Sequence, residues 1–186
     1  RDTVQDANAP LPAFMASYGA VPVGHRDSYA LELLGTIMGG GSSSRLNQRL
    51  VKQERAASFA VLFPDLRRGP GIMLFYLRAN QGVDAGRLET LLDEELAILL
   101  RDGVTDAELE RARNQQRAGF IRALQTAMGR AETLQEYTLN FGDPATIRTA
   151  LDPYLAVTRD DVLRVARQYL RPDNRAVVVT LPDRAQ

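Results

Sequence analysis

The chain has 186 residues, 45% of them hydrophobic and 25% charged, and its formal net charge is zero. That is the balance of an ordinary globular domain with room for one substantial core, and it leaves no basic surplus of the kind a nucleic-acid binder needs. The absence of cysteine excludes disulfides, thiolate metal sites and cysteine nucleophiles.

Arg1 to Pro12 is polar with two prolines near its end, and it reads as a linker or extended lead-in, with a single domain over 13–186. Ala13 to Ala20 is short and apolar-rich, a strand interrupted by Pro22 and Gly24. Asp27 stands where a helix can start, and Leu31, Leu34 and Met38 follow at helical spacing. Gly39, Gly40 and Gly41 end that helix. A serine among Ser42, Ser43 and Ser44 is expected to cap the next one, running to about Gln53 with Leu46 and Leu50 on one face. Ser58–Phe63 and Gly71–Ala79 read as strands, and the turn-rich PDLRRGP between them predicts an antiparallel pair.

Asp84 opens a long helix carrying Leu88, Leu92, Leu96 and Leu99, and Gly103 ends it. Thr105 and Glu108 form a T-x-x-E capping box for the following helix. The inner face expected for that helix is Leu109, Ala112, Gln116, Phe120 and Leu124, with Gly129 as the point of a bend or break. Gly142, Asp143 and Pro144 give a stop, a cap and a first-turn proline for a short helix to about Tyr154. Thr158 and Asp161 box the last helix, Val157 and Val162 staple it, and Val162, Val165, Ala166 and Tyr169 make its buried stripe. The run Ala176–Leu181 is a strand expected to lie in the same sheet as the other two, buried on both faces. The order predicts an α+β domain: a mixed, largely antiparallel sheet with several helices packed on it.

Little in the chain carries chemistry of its own. His25 is the one histidine, so neither HExxH nor HxxEH can exist, and no metal site is expected here. Pairs such as Glu94–Glu95 and Asp160–Asp161 diverge by about 100° on a helix and do not converge on one substrate atom. The unusual segment is GGGSSSRL, Gly39 to Leu46. It has no GK[ST] for a nucleotide, and no GxSxG exists to make a serine nucleophile. It reads as a tight helix–helix corner that only turns the chain, or as such a corner whose exposed amides touch a peptide substrate. No apolar run approaches the roughly 20 residues of a membrane span. No signal peptide is visible, and the chain starts at Arg1 with Met15 as its first methionine, so a mature product or excised piece is expected.

The run DSYALELLGTIMGGGSSSRLNQRLVKQERAASF, Asp27 to Phe59, resembles the start of the C-terminal domain of the insulinase, pitrilysin and mitochondrial processing-peptidase superfamily. The tail, GDPATIRTALDPYLAVTRDDVLRVARQYLRPDNRAVVVTLP, is similar to that family's ending. The resemblance implies a zinc peptidase built from two homologous halves around a peptide-sized chamber. This chain would be the non-catalytic half, with zinc in an N-terminal half or a partner subunit and a homo- or heterodimer in view. The alternative is a zinc-less pseudo-peptidase serving as a scaffold or assembly subunit. The resemblance further implies a substrate cleft at Gly39, Gly40, Gly41, Ser42, Ser43 and Arg45, and it is compatible with a bacterial periplasm or with cytoplasm. It has one departure. Relatives carry an arginine and a tyrosine seven apart after S-S-R-L, and here Val51 and Ser58 stand at those positions, with Arg49 and Phe59 nearby but out of register.

Overall fold

A computed structural model describes residues 1–183. Five strands form one sheet in the order β1-β5-β2-β4-β3. They are β1 (Asp2–Asp6), β2 (Ala13–Ala20), β3 (Ala57–Asp65), β4 (Gly71–Ala79) and β5 (Arg175–Pro182). Every neighbouring pair is antiparallel except β1 with β5, which is parallel. The sheet is therefore mixed and largely antiparallel, and the fold is α+β. The lead-in contains more than a linker, since β1 is hydrogen-bonded along the edge of the sheet. Its backbone donors and acceptors have an open partner in β5, and four of its five side chains are exposed.

The helices are α1 (Ser28–Gly39), α2 (Ala85–Asp102), α3 (Asp106–Ala123), α4 (Ala127–Phe141), α5 (Asp152–Ala156) and α6 (Arg159–Tyr169). Their ends are chemically marked. Asp84 accepts from the Arg87 N–H, and both capping boxes, Thr105–Glu108 and Thr158–Asp161, are closed. The core lies between these helices and one face of the sheet. Phe14, Ala16 and Tyr18 of β2, Met73, Phe75 and Leu77 of β4, and Val177 and Val179 of β5 meet Leu31, Leu34, Leu88, Leu92 and Val165.

Several expectations need correction. Only Leu109 and Ala112 of the expected inner face of α3 are buried; Gln116, Phe120 and Leu124 are half-exposed because α3 runs past the end of the core. The break before α4 falls at Leu124–Thr126, not at Gly129. Thr126 caps α4 by accepting from the Gly129 N–H, and a Cβ on Gly129 would lie 2.0 Å from the Ala123 carbonyl, so glycine here permits the close approach of the two helices. The short helix after Pro144 is two pieces, a 3₁₀ turn over Pro144–Thr149 and then α5. The last strand is buried on one face only: Val177 and Val179 are in the core, while Val178 and Thr180 are half-covered and Ala176 is exposed. It is paired on both edges, by β1 and β2, so its apolar run reflects a central strand with one uncovered face.

Candidate functional site

The glycine corner is built by close packing. α1 crosses β3 along its glycines: a Cβ on Gly35 would meet the Pro64 ring at 2.4 Å, and one on Gly39 would lie 1.9 Å from the Leu62 backbone nitrogen. Gly40 is pressed against the Thr36 carbonyl, and Gly41 takes φ +86 in open space. Ser44 does not cap the next helix through its side chain. Its hydroxyl donates to the Gly41 carbonyl at 2.7 Å, closing the corner, and its own carbonyl accepts from Gln48. Gly41, Ser42 and Ser43 are exposed, whereas Gly39 and Ser44 are buried.

Arg45 faces inward. Its Nε and Nη2 donate to the two oxygens of Glu108 at 2.6 and 2.8 Å, and Nη2 also donates to the Gly103 carbonyl. Glu95, buried on α2, lies 3.9 Å from Nη1. A cleft of about 550 Å³ borders this group, with Gln48, Arg49 and Thr105 among its walls. Burial alone would raise the Glu108 carboxyl. The Arg45 guanidinium and the Thr105 donors outweigh it and hold the group at about 2. Burial raises Glu95 against the opposing pull of Arg45 and Arg49. The sequence gives Glu108 a capping role, and the structure adds the ion pair. A contact across 63 residues has no local signature.

Beyond Arg45 the chain winds as a π-helix over Asn47–Gln53, closed by a bond from the Glu54 N–H to the Arg49 carbonyl. Arg55 follows at φ +52, and β3 then starts with a bulge between Ala57 and Phe59. Val51 packs on the core, and Arg49 pairs with Glu94 at 2.5 Å. Ser58 is the residue at the bulge. Its hydroxyl accepts from Arg78 Nε at 3.0 Å and lies 3.1 Å from the Ala79 carbonyl, to which it donates.

The second surface is the face of the sheet that carries no helix. Strand register and alternation place Met15 and Ser17 of β2, Ile72, Leu74, Tyr76 and Arg78 of β4, Val61 and Phe63 of β3, and Val178 of β5 there. These side chains are half-buried or exposed, Phe63 by 55% and Phe59 by 45%. Sequence reading missed this face because alternation in β4 is apolar on both sides.

Among the described residues no group of three His, Cys, Asp or Glu side chains is placed to hold a metal ion. His25 Nδ1 accepts the Asp27 N–H at 3.1 Å, so it serves the turn before α1. The described residues do not fit a zinc site. No helix of the described residues is long and apolar enough to cross a membrane.

A family model described as the peptidase M16 inactive domain matches residues 1–116. Zinc protease PqqE of Helicobacter pylori is 28% identical over 85% of this chain and 35% of its own length. The uncharacterized zinc protease Rv2782c of Mycobacterium tuberculosis is 32% identical over 79% of this chain and 33% of its own. The chain thus spans about a third of the length of these relatives. Among solved structures, a protease from Helicobacter pylori superposes with TM-score 0.90 at 25% identity, covering 97% of this chain and 44% of that one. The inactive peptidase domain from Bordetella parapertussis gives 0.82 at 25% identity, covering 98% and 96%.

Proposed function

The chain belongs to the family of M16 peptidase inactive domains, and from that premise we propose that it is the non-catalytic, substrate-enclosing half of a zinc-dependent peptidase. The metal site then lies in a second, homologous half, on the same polypeptide or on a partner subunit. One observation carries the reading: a domain whose described residues include none fitted to zinc matches, over 85% of its length, about a third of a protein named a zinc protease. The helix-free face of the sheet supports it. Large apolar side chains such as Phe59 and Phe63 left open to water on one face of a strand are characteristic of a surface that meets another molecule.

In this reading the chain binds and orients a peptide and excludes water, and zinc bound in the other half would supply the activation of water. The exposed part of the corner, Gly41, Ser42 and Ser43, offers backbone donors and hydroxyls to a peptide. Gly39, Gly40 and Arg45 shape that corner from beneath.

The test is reconstitution. This chain is assayed with zinc on a fluorogenic peptide mixture, alone and with the HxxEH-bearing half of the same peptidase. The expected result is no hydrolysis alone and hydrolysis on mixing. Hydrolysis by this chain alone contradicts the proposal. So does a complex that forms without hydrolysis, which would assign the chain a scaffold role.

A further inference from the structure

The three inner strands of the sheet, β5, β2 and β4, are apolar on the helix-free face with one exception, while the edge strands carry Asp65 of β3 and Asp2 and Asp6 of β1 in register with that face. Across these three strands the side chains are Val178, Thr180, Met15, Ser17, Ile72, Leu74 and Tyr76 with their smaller neighbours, and Arg78 is the one charged group that the three carry on this face. Most arginines of this chain that approach the core or a helix junction meet a carboxylate, as Arg45 meets Glu108 and Arg175 meets Asp93. Arg78 does not. Its one side-chain partner is Ser58, a neutral hydroxyl that fixes Nε and leaves both terminal nitrogens free. The bulge in β3 sets up this contact by inserting a residue between Ala57 and Phe59. Phe59 pairs with Arg78 in register, and its ring stands 5.9 Å from that of Tyr76.

A guanidinium anchored at one nitrogen, free at two, and flanked by aromatic rings on an apolar wall complements a carboxylate carried between apolar side chains. We propose that Arg78 is a specificity-determining residue that receives a carboxylate of the peptide, with Phe59 and Tyr76 packing the residues beside it and Ser58 holding the guanidinium in place. The proposal rests on the substrate-enclosing reading above, and it names the peptide class that this wall favours. The carboxylate comes from an acidic side chain or from the peptide's C-terminus.

The experiment uses this chain and three heptapeptides of one apolar sequence. The first has a central glutamate and an amidated end, the second a central glutamine and an amidated end, and the third a central glutamine and a free C-terminal carboxylate. Binding is read from amide chemical shifts of β3 and β4. The glutamate peptide, the free-acid peptide or both should bind at least about tenfold more tightly than the neutral one, which assigns the source of the carboxylate. Arg78→Gln should remove that preference without changing the neutral peptide's affinity, and Arg117→Gln on α3 should leave it intact. Equal binding of all three peptides, no shifts on these strands, or an unchanged preference in Arg78→Gln overturns the proposal. None of these outcomes depends on hydrolysis, so reconstitution can succeed or fail independently.

Discussion

Arg45 shows how a residue on a conspicuous motif is committed by its surroundings. Its guanidinium spans three elements, taking the Glu108 carboxylate of α3, the Gly103 carbonyl after α2 and the field of Glu95. Removing the cation strands the buried Glu95 and the half-buried Glu108, so Arg45→Ala should cost about 3 kcal/mol in urea unfolding. The Glu108 carboxyl sits at about 2 in the fold against an ordinary value near 4.5. A depressed carboxylate stabilises the fold fully above its unfolded value and loses that contribution as pH falls through its folded value. Stability should therefore drop between about pH 4.5 and pH 2, and Glu108→Gln should be less stable at pH 7 while showing a shallower acid limb. An acid limb that is unchanged in the variant would show that other carboxylates govern it. The capping half of Glu108 was legible in T-x-x-E, because a box is local. The Arg45 half was not, because nothing in spacing reports a partner 63 positions away.

At the level of elements, periodicity and caps located most helices and strands closely, since those signals act within a few residues. Ala13–Ala20 and Gly71–Ala79 are strands at the expected bounds, and the Thr158 box starts α6. What escaped reading depends on neighbours. The face of α3 thins where the core ends, Gly129 serves an approach between helices, and the turn after Arg45 that buries Leu46 and Leu50 is wound as a π-helix. Glycines separate the two kinds of information well. Gly39 is needed because β3 backbone occupies the place of a Cβ, whereas Gly119 in α3 has nothing within 4 Å. Gly39→Ala should destabilise by about 1–3 kcal/mol, since backbone must move. Gly119→Ala should stabilise by roughly 0.5–1 kcal/mol through helix propensity. Equal thermal shifts for the two variants would contradict this account of the α1–β3 contact.

For the molecule as a whole, the layered arrangement leaves one question that the sheet poses directly. Helices cover one face, and the other presents Phe63, Tyr76, Leu74 and Met15 with a single arginine. The α+β class was legible from the order of elements, and the resemblance supplied the expectation of a chamber. The bare face was not legible, because a strand that is apolar on both sides reads the same whether one or both faces are covered. The central claim is that this chain encloses a peptide without holding the metal, and that the bare face is the enclosing surface. Because the chain has no cysteine, a single introduced thiol can be labelled cleanly. The direct measurement is hydrolysis by the reconstituted two-half enzyme with a bulky maleimide at Phe63→Cys or, on the outside of α3, at Arg117→Cys. The account predicts that the label at position 63 abolishes turnover while the label at position 117 leaves it unchanged. Full activity with the label at position 63, or its loss only with the label at position 117, would contradict it.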